Sequence, residues 1–212
     1  MRLIMVRHGR TVSNVGLLLD TGEPGAALDE SGLEQAAALV ERLSEHPIEA
    51  VFASSLIRTQ QTAQPLARAR GMEVQVLPGL REIPAGEDEL GTDATRYIGA
   101  LVAWGQGDLQ ARVPGGENAL EFFARYDDAI DTIAASGAEV AMVVSHGAAL
   151  RVWATARVAG FAEALGPAHL DNTGVIVVDG SPAEGWTLVH LSGIRKYPYH
   201  QAASPEPQGG HA

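Results

Sequence analysis

No cysteine occurs anywhere in the chain. Disulfides, thiolate nucleophiles and cysteine-ligated zinc are therefore excluded. No apolar run approaches the ~20 residues that span a bilayer. The apolar stretch Leu3–Val6 is too short for the core of a secretory signal. These absences make the cytoplasm the expected location. Clustered cations are also missing: the net charge is −11 and no stripe of Lys and Arg interrupts it. Nucleic-acid binding is not expected without such a stripe, and membrane-surface binding is not expected without a polybasic amphipathic segment. The seven histidines form neither an HExxH motif nor a tight cluster with aspartates, so the reading includes no metal and no cofactor. No internal repeat of ~20–50 residues suggests a solenoid.

What remains is a chain of 212 residues, 46% hydrophobic and 19% charged, enough for one buried core. A single domain is expected over residues 1–199, followed by a polar, disordered tail over 200–212. Leu3–Val6, Glu49–Ala53, Glu73–Leu77, Glu139–Val144, Gly174–Val178 and Trp186–Leu191 have the pattern of strands. Helices are expected from a Ser31/Glu34 capping box to about His46, from a Ser54 or Ser55 cap to Arg70 with Gly71 closing it, over Asp93–Trp104, from the turn Pro114-Gly115-Gly116-Glu117 through Ile133, and over Gly147–Val158. Gly16–Asp29 and Pro78–Thr92 look like loops. Strands alternating with helices of this length predict an α/β fold with three layers, a mostly parallel central sheet between two layers of helices.

In such sheets ligands sit outside the carboxyl ends of the strands, and the reactive residues fall there. Arg7-His8-Gly9 follows the first strand. The strand end mounts the imidazole, the glycine permits close approach of backbone to a ligand, and the Arg fork matches phosphate oxygens. Ser145-His146-Gly147 repeats the pattern after the strand ending at Val144. Arg58 lies on the first turn of a helix, where a cation opposes the dipole; phosphate binding or a salt bridge to a nearby acid would account for it. Glu82 belongs to an acidic loop that also holds Glu87, Asp88 and Glu89. His46, His190, His200 and His211 have the setting of surface or tail residues, and His169 that of a structural one.

Val6-Arg7-His8-Gly9-Arg10-Thr11-Val12-Ser13-Asn14 resembles the signature of the histidine phosphatase superfamily, the phosphoglycerate mutase-like proteins. The resemblance continues through Ser55–Ala63, through Leu80-Arg81-Glu82-Ile83 with Gly86, through Pro114-Gly115-Gly116-Glu117 with Arg125, and through Val144–Arg151. It implies a phosphoglycerate mutase-like fold and assigns roles by position. His8 is the phosphorylated nucleophile. Arg7, Arg58, His146 and Gly147 surround the phosphate oxygens, with Asn14 adding a hydrogen bond. Glu82 donates a proton to the leaving group, and Thr21 and Gly22 stand at the family's substrate loop. The chain departs from the family pattern at Arg10, where Glu is frequent, which would place positive charge at the pocket rim, and in the loop Leu17–Ala27, whose Asp20-Thr21-Gly22-Glu23-Pro24 run fits poorly.

The residue types suit phosphoryl transfer. A neutral imidazole approaches an anionic phosphorus without adding charge, and two Arg and a His can stabilise charge on the equatorial oxygens without a metal. The neighbours of Glu82 would raise its pKa by like-charge repulsion. The expected activity is hydrolysis of a small phosphorylated metabolite. The alternatives are a cofactor-dependent phosphoglycerate mutase and a non-catalytic phospho-ligand binder. The mutases carry paired arginines for a substrate carboxylate, whereas here Arg96 and Arg112 stand alone between Glu82 and Glu117. Leu90, Tyr97, Ile98, Leu101, Val102 and Trp104 form an apolar stripe that reads either as helix core or as a lid over a less charged substrate. A homodimer is compatible with the sequence, which leaves the assembly undecided.

Overall fold

The computed structural model describes residues 1–195; the expected tail at 200–212, with His200 and His211, and the last residues of the expected domain lie outside them. Seven strands form one sheet in the order β3-β2-β4-β1-β6-β7-β5. These are β1 (Arg2–Arg7), β2 (Ala50–Ala53), β3 (Val74–Val76), β4 (Val140–Ser145), β5 (Val158–Ala159), β6 (His169–Ser181) and β7 (Gly185–Arg195). The pairs β1/β4, β2/β4, β2/β3 and β5/β7 are parallel. β6 runs antiparallel to both β1 and β7. The helices are α1 (Val12–Val15), α2 (Glu30–Arg42), α3 (Ile57–Ala69), α4 (Thr95–Gly105), α5 (Ala119–Ala135), α6 (Gly147–Arg157) and α7 (Phe161–Leu165).

β1 shows why the sheet needs helices on both faces. Leu3, Ile4, Met5 and Val6 are all fully buried, and successive side chains of a strand point to opposite faces. Leu3 and Met5 join one core with Phe52, Phe122, Tyr126 and Trp153. Ile4 and Val6 join another with Leu39, Val51, Leu66 and Val144. The first core lies under α4, α5 and α6, the second under α2 and α3.

The local signals differ from expectation in three places. α2 is capped by Asp29, whose side chain accepts from the Gly32 N–H at 2.8 Å, and not by Ser31. α3 begins after Leu56 without a side-chain cap; the Ser54 hydroxyl is drawn into the site instead, as described below. The chain from Val158 to Leu165 forms a short edge strand and a helical turn where the sequence suggested only the end of a helix. Gly71 does close α3, at φ +66°, the left-handed geometry that a Cβ disfavours.

Phe122 is fully buried and touches Trp104, Phe123 and Tyr126 at ring-centroid separations of 5.9, 5.1 and 5.4 Å. Phe122→Ala is expected to lower stability by about 3–5 kcal/mol, the cost of truncating a core aromatic, measured as a shift in the urea unfolding midpoint.

Candidate functional site

The parallel pairing of β1 and β4 sets Arg7 opposite Ser145. The next residues on both strands are His8 and His146, and the His8 N–H donates to the Ser145 carbonyl at 3.0 Å. The two rings lie 5.3 Å apart, centroid to centroid, tilted by 60°. His8 is 3% exposed and His146 fully buried. The His8 Nδ1 is 2.7 Å from the Gly9 carbonyl. A carbonyl only accepts, so the ring proton sits on Nδ1 and Nε2 carries the lone pair. Gly9 must be glycine here: a Cβ would stand 2.7 Å from the Gly32 carbonyl oxygen, where α2 packs against this turn.

Arg58 reaches the same point from α3. Its Nε is 3.2 Å from the His8 Nε2. The guanidinium is 3% exposed, a costly position for a charge unless it is paired. Asp20 supplies the pairing: its carbonyl accepts from Nη2 at 2.7 Å and its carboxylate stands 3.7 Å from Nη1. The Asp20 carboxylate also accepts from the Ser13 hydroxyl at 2.7 Å and the Ala26 N–H at 2.9 Å, so the loop is built around it. Gly25, at φ +68°, lies so close that a Cβ would overlap the Arg58 guanidinium. Among the described residues, Arg58 Nη1 makes no hydrogen bond, and neither does His146 Nδ1, although both are buried. Buried polar atoms of this kind are rare and call for an explanation. On its other ring nitrogen, His146 Nε2 stands 2.7 Å from the Ser54 hydroxyl, and Ser54 is itself 2.9 Å from the Thr59 hydroxyl.

Arg7 donates to the Leu170 carbonyl at 2.6 Å. A Cβ at Gly147 would come within 3.2 Å of its Nε, so the glycine leaves room for the Arg fork at the start of α6. Asn14 accepts through Oδ1 from the Thr11 N–H at 3.2 Å and from Asn172 Nδ2 at 3.1 Å, which leaves its own amide N–H groups as donors. Asn172 also donates to the His8 carbonyl at 3.0 Å. Arg7, His8, Asn14, Thr21, Arg58, Glu82 and Gly147 all line one cavity of about 950 Å³.

Glu82 reaches the cavity from the loop after β3. Its Oε1 accepts from the Ala149 N–H at 2.8 Å and from the Ile83 N–H at 3.0 Å, and its Oε2 accepts from the Ala148 N–H at 3.1 Å. The carboxylate thus sits on the first turn of α6, where free N–H groups and the dipole favour an anion. The loop backbone is tied down separately. Arg125 of α5, paired with Glu117, donates to the carbonyls of Gly79, Arg81 and Glu82, the Ser145 hydroxyl donates to the Leu80 carbonyl, and the Tyr97 hydroxyl donates to the Ile83 carbonyl.

Several expectations are corrected. The acids near Glu82 are committed to other partners. Glu87 and Asp88 pair with Arg96, and Glu89 accepts from the Thr21 hydroxyl and from the N–H groups of Thr21 and Gly22. Those N–H groups are thereby used within the protein, and Gly22 is exposed and off the cavity wall. Arg10 adds no free charge at the rim, because Asp29 holds it at 2.8 Å. His169 borders the cavity. The apolar stripe divides: Tyr97 and Trp104 are buried, whereas Ile98 and Val102 are 56% and 51% exposed at the cavity wall and Leu90 is exposed elsewhere. The sequence did not reveal Asp20 and Asn172 as contacts of the site, and it placed Ser54 at the same strand end without linking it to His146. Asp20 stood in the loop that fitted poorly, but nothing in the sequence linked it to Arg58.

The electrostatics are those of a cationic pocket. Burial, then the Arg58 and Arg7 charges, hold the His8 pKa well below the usual histidine value. Burial, then Arg58, do the same for His146. Both imidazoles are neutral near neutral pH. Unfolding releases them to ordinary values near 6.5, so the unfolded chain binds more protons below that pH. Stability is expected to fall as pH drops below about 6.5, by up to about 1.4 kcal/mol per pH unit for each imidazole. The check is chemical unfolding between pH 7 and pH 5, with a shallower slope for His8→Asn than for the parent.

Comparison with known proteins identifies the family. The family model of the histidine phosphatase superfamily (branch 1) matches residues 3–192. A Mycobacterium tuberculosis protein named PE-PGRS family protein PE_PGRS11 is 37% identical over 89% of the chain, but the chain spans only 36% of that protein's length. An Erwinia tasmaniensis protein named probable phosphoglycerate mutase GpmB is 32% identical over 89% of this chain and 91% of its own. Among solved structures, a mycobacterial glucosyl-3-phosphoglycerate phosphatase in complex with VO3 superposes with a TM-score of 0.74 at 28% identity, covering 91% of this chain and 98% of that one. The alpha-ribazole phosphatase from Shigella flexneri gives 0.72 at 27% identity, covering 90% and 96%. With its sheet, its paired imidazoles and its match along nearly the whole described chain, the protein belongs to the histidine phosphatase superfamily.

Proposed function

We propose that the chain hydrolyses small phosphomonoesters without a metal, through a phosphohistidine formed on His8. The observation that carries this reading is that two buried polar atoms, Arg58 Nη1 and His146 Nδ1, make no hydrogen bond among the described residues and stand beside the Nε2 lone pair of His8. A tetrahedral dianion would satisfy both. If the Ser54 hydroxyl donates to His146 Nε2, the imidazole proton lies on Nδ1 and becomes a donor to a phosphate oxygen. Arg7, Asn14 and the N-terminal turn at Gly147 flank the same place; Thr21 contributes wall and Gly22 no contact.

The His8 Nε2 lone pair forms the N–P bond as the P–O bond to the alcohol breaks. Charge on the equatorial oxygens is met by Arg58, Arg7 and His146. The leaving alkoxide takes a proton from Glu82, and the backbone N–H groups at the start of α6 receive the resulting carboxylate. A water molecule then attacks phosphorus and gives its proton to Glu82. The N–P bond breaks, Nε2 regains its lone pair and inorganic phosphate leaves. We place the reaction in the cytoplasm.

A mutase would use the same phosphoenzyme with a substrate hydroxyl as acceptor, and the relative named as a phosphoglycerate mutase favours testing it. Hydrolysis is preferred because Arg96 and Arg112, the cations between Glu82 and Glu117, are committed to Asp88 and Glu121.

Turnover of p-nitrophenyl phosphate is expected to survive excess chelator, and rapid quench is expected to trap an acid-labile phosphoenzyme that His8→Ala lacks. Glu82→Gln is expected to slow alkyl phosphate hydrolysis by about 10²–10⁴-fold. The same variant should slow p-nitrophenyl phosphate far less, since nitrophenolate leaves without a proton. Rapid interconversion of 2- and 3-phosphoglycerate with weak hydrolysis would indicate the mutase, and equal effects on both leaving groups would remove Glu82 from its role.

A further inference from the structure

His8, Arg7, Arg58 and Asn14 form one end of the cavity, and Arg151, Thr155, Arg157 and His169 add polar groups along its wall. Much of the remaining wall is apolar, built from Ile98, Leu101 and Val102 of α4, Leu120 and Phe123 of α5, and Val152 of α6. Three of these are not core residues: Ile98, Val102 and Leu120 are 56%, 51% and 50% exposed. Large apolar side chains left half in water, converging from two helices on a single cavity, mark a surface that is covered in the working state. Several of the polar groups nearby are engaged. The Tyr97 hydroxyl donates to the Ile83 carbonyl, the Trp104 indole N–H donates to the Ala111 carbonyl at 2.7 Å, and Arg157 pairs with Asp127. A volume of about 950 Å³ is at the upper end for sites that hold drug-sized molecules. A three-carbon phosphorylated acid would leave most of that wall facing water.

Building on the phosphatase reading, we infer that the substrate is the phosphate monoester of an apolar alcohol, with a hydrocarbon chain or ring that lies along α4 and α5 while its phosphate reaches His8. The occupant follows from continuity: the apolar wall opens directly onto the phosphate end, so a molecule held by Arg58 and His146 must direct its alcohol portion along it. Burial of each added methylene is worth up to about fourfold in affinity for the transition state. Arg151, an exposed cation on the α6 wall, is the group that a carboxylated substrate would use, so 3-phosphoglycerate is the comparison compound.

The test is kcat/KM for ethyl, butyl, hexyl and octyl phosphate. It is expected to rise with length, by up to about fourfold per methylene until the wall is filled, and to exceed that for 3-phosphoglycerate. Val102→Glu is expected to reduce the octyl-to-ethyl ratio at least tenfold, and Ile98→Asp serves as the second variant should the first fail to fold. A flat series, a preference for 3-phosphoglycerate, or an unchanged ratio in folded variants overturns the substrate class while leaving the phosphatase reading intact. If no phosphomonoester is hydrolysed, calorimetry with ethyl- and octylphosphonate separates the two claims. Tighter binding of the octyl compound upholds the apolar site without the hydrolase, and equal binding overturns it.

Discussion

The arrangement depends on the parallel register of β1 with β4. Arg7 opposite Ser145 places two imidazoles one residue beyond two adjacent strand ends, 5.3 Å apart. A slip of one residue would turn every side chain of β1 to the other face. That would move Leu3 and Met5 out of the core that holds Phe122 and Trp153 and break the site at once. The same hydrophobic alternation that buries the strand on both faces therefore determines where the histidines stand. Core packing and site geometry are one constraint.

Around that register the protein carries an electrostatic load. A guanidinium that is 3% exposed is tolerable because Asp20 meets it, and breaking such a buried pair typically costs about 3–5 kcal/mol. The loop that brings Asp20 is shaped by Ser13, Ala26 and the close approach of Gly25. The overall charge of −11 is thus compatible with a cationic pocket, because the field near His8 is set by groups within a few ångströms and more distant charges are screened over about 8 Å. Burial and these cations together keep both imidazoles neutral, the form in which one can act as a nucleophile.

The acid loop shows a different solution. Glu82 stands apart from the pairing of its acidic neighbours, which Arg96 and Thr21 take up. It is seated on the N-terminal turn of α6, the same turn that follows His146. One helix start thereby locates the second imidazole, leaves room at Gly147 for Arg7, and receives the carboxylate. Arg125 and Tyr126 on α5 fix the surrounding backbone and Ser145, so the spacing between Glu82 and the histidines is transmitted through the core.

Much of this was legible in the chain alone. The two His-Gly pairs after apolar runs and Arg58 at a helix start follow from local pattern, because strand ends and helix starts are encoded by residues close in sequence; Glu82 stood out only through the family resemblance. The alternation of strands and helices likewise determined a mostly parallel sheet. Contacts between distant segments were not legible. Asn172 meets the His8 carbonyl because β6 runs antiparallel to β1, which brings its first residues to the carboxyl end of a neighbour 164 positions away. Ser54 turned from a helix cap to a partner of His146, 92 positions distant, and Glu89 took up Thr21 and Gly22. Hydrogen-bond partners of this kind depend on which strands lie side by side, and only the folded sheet decides that.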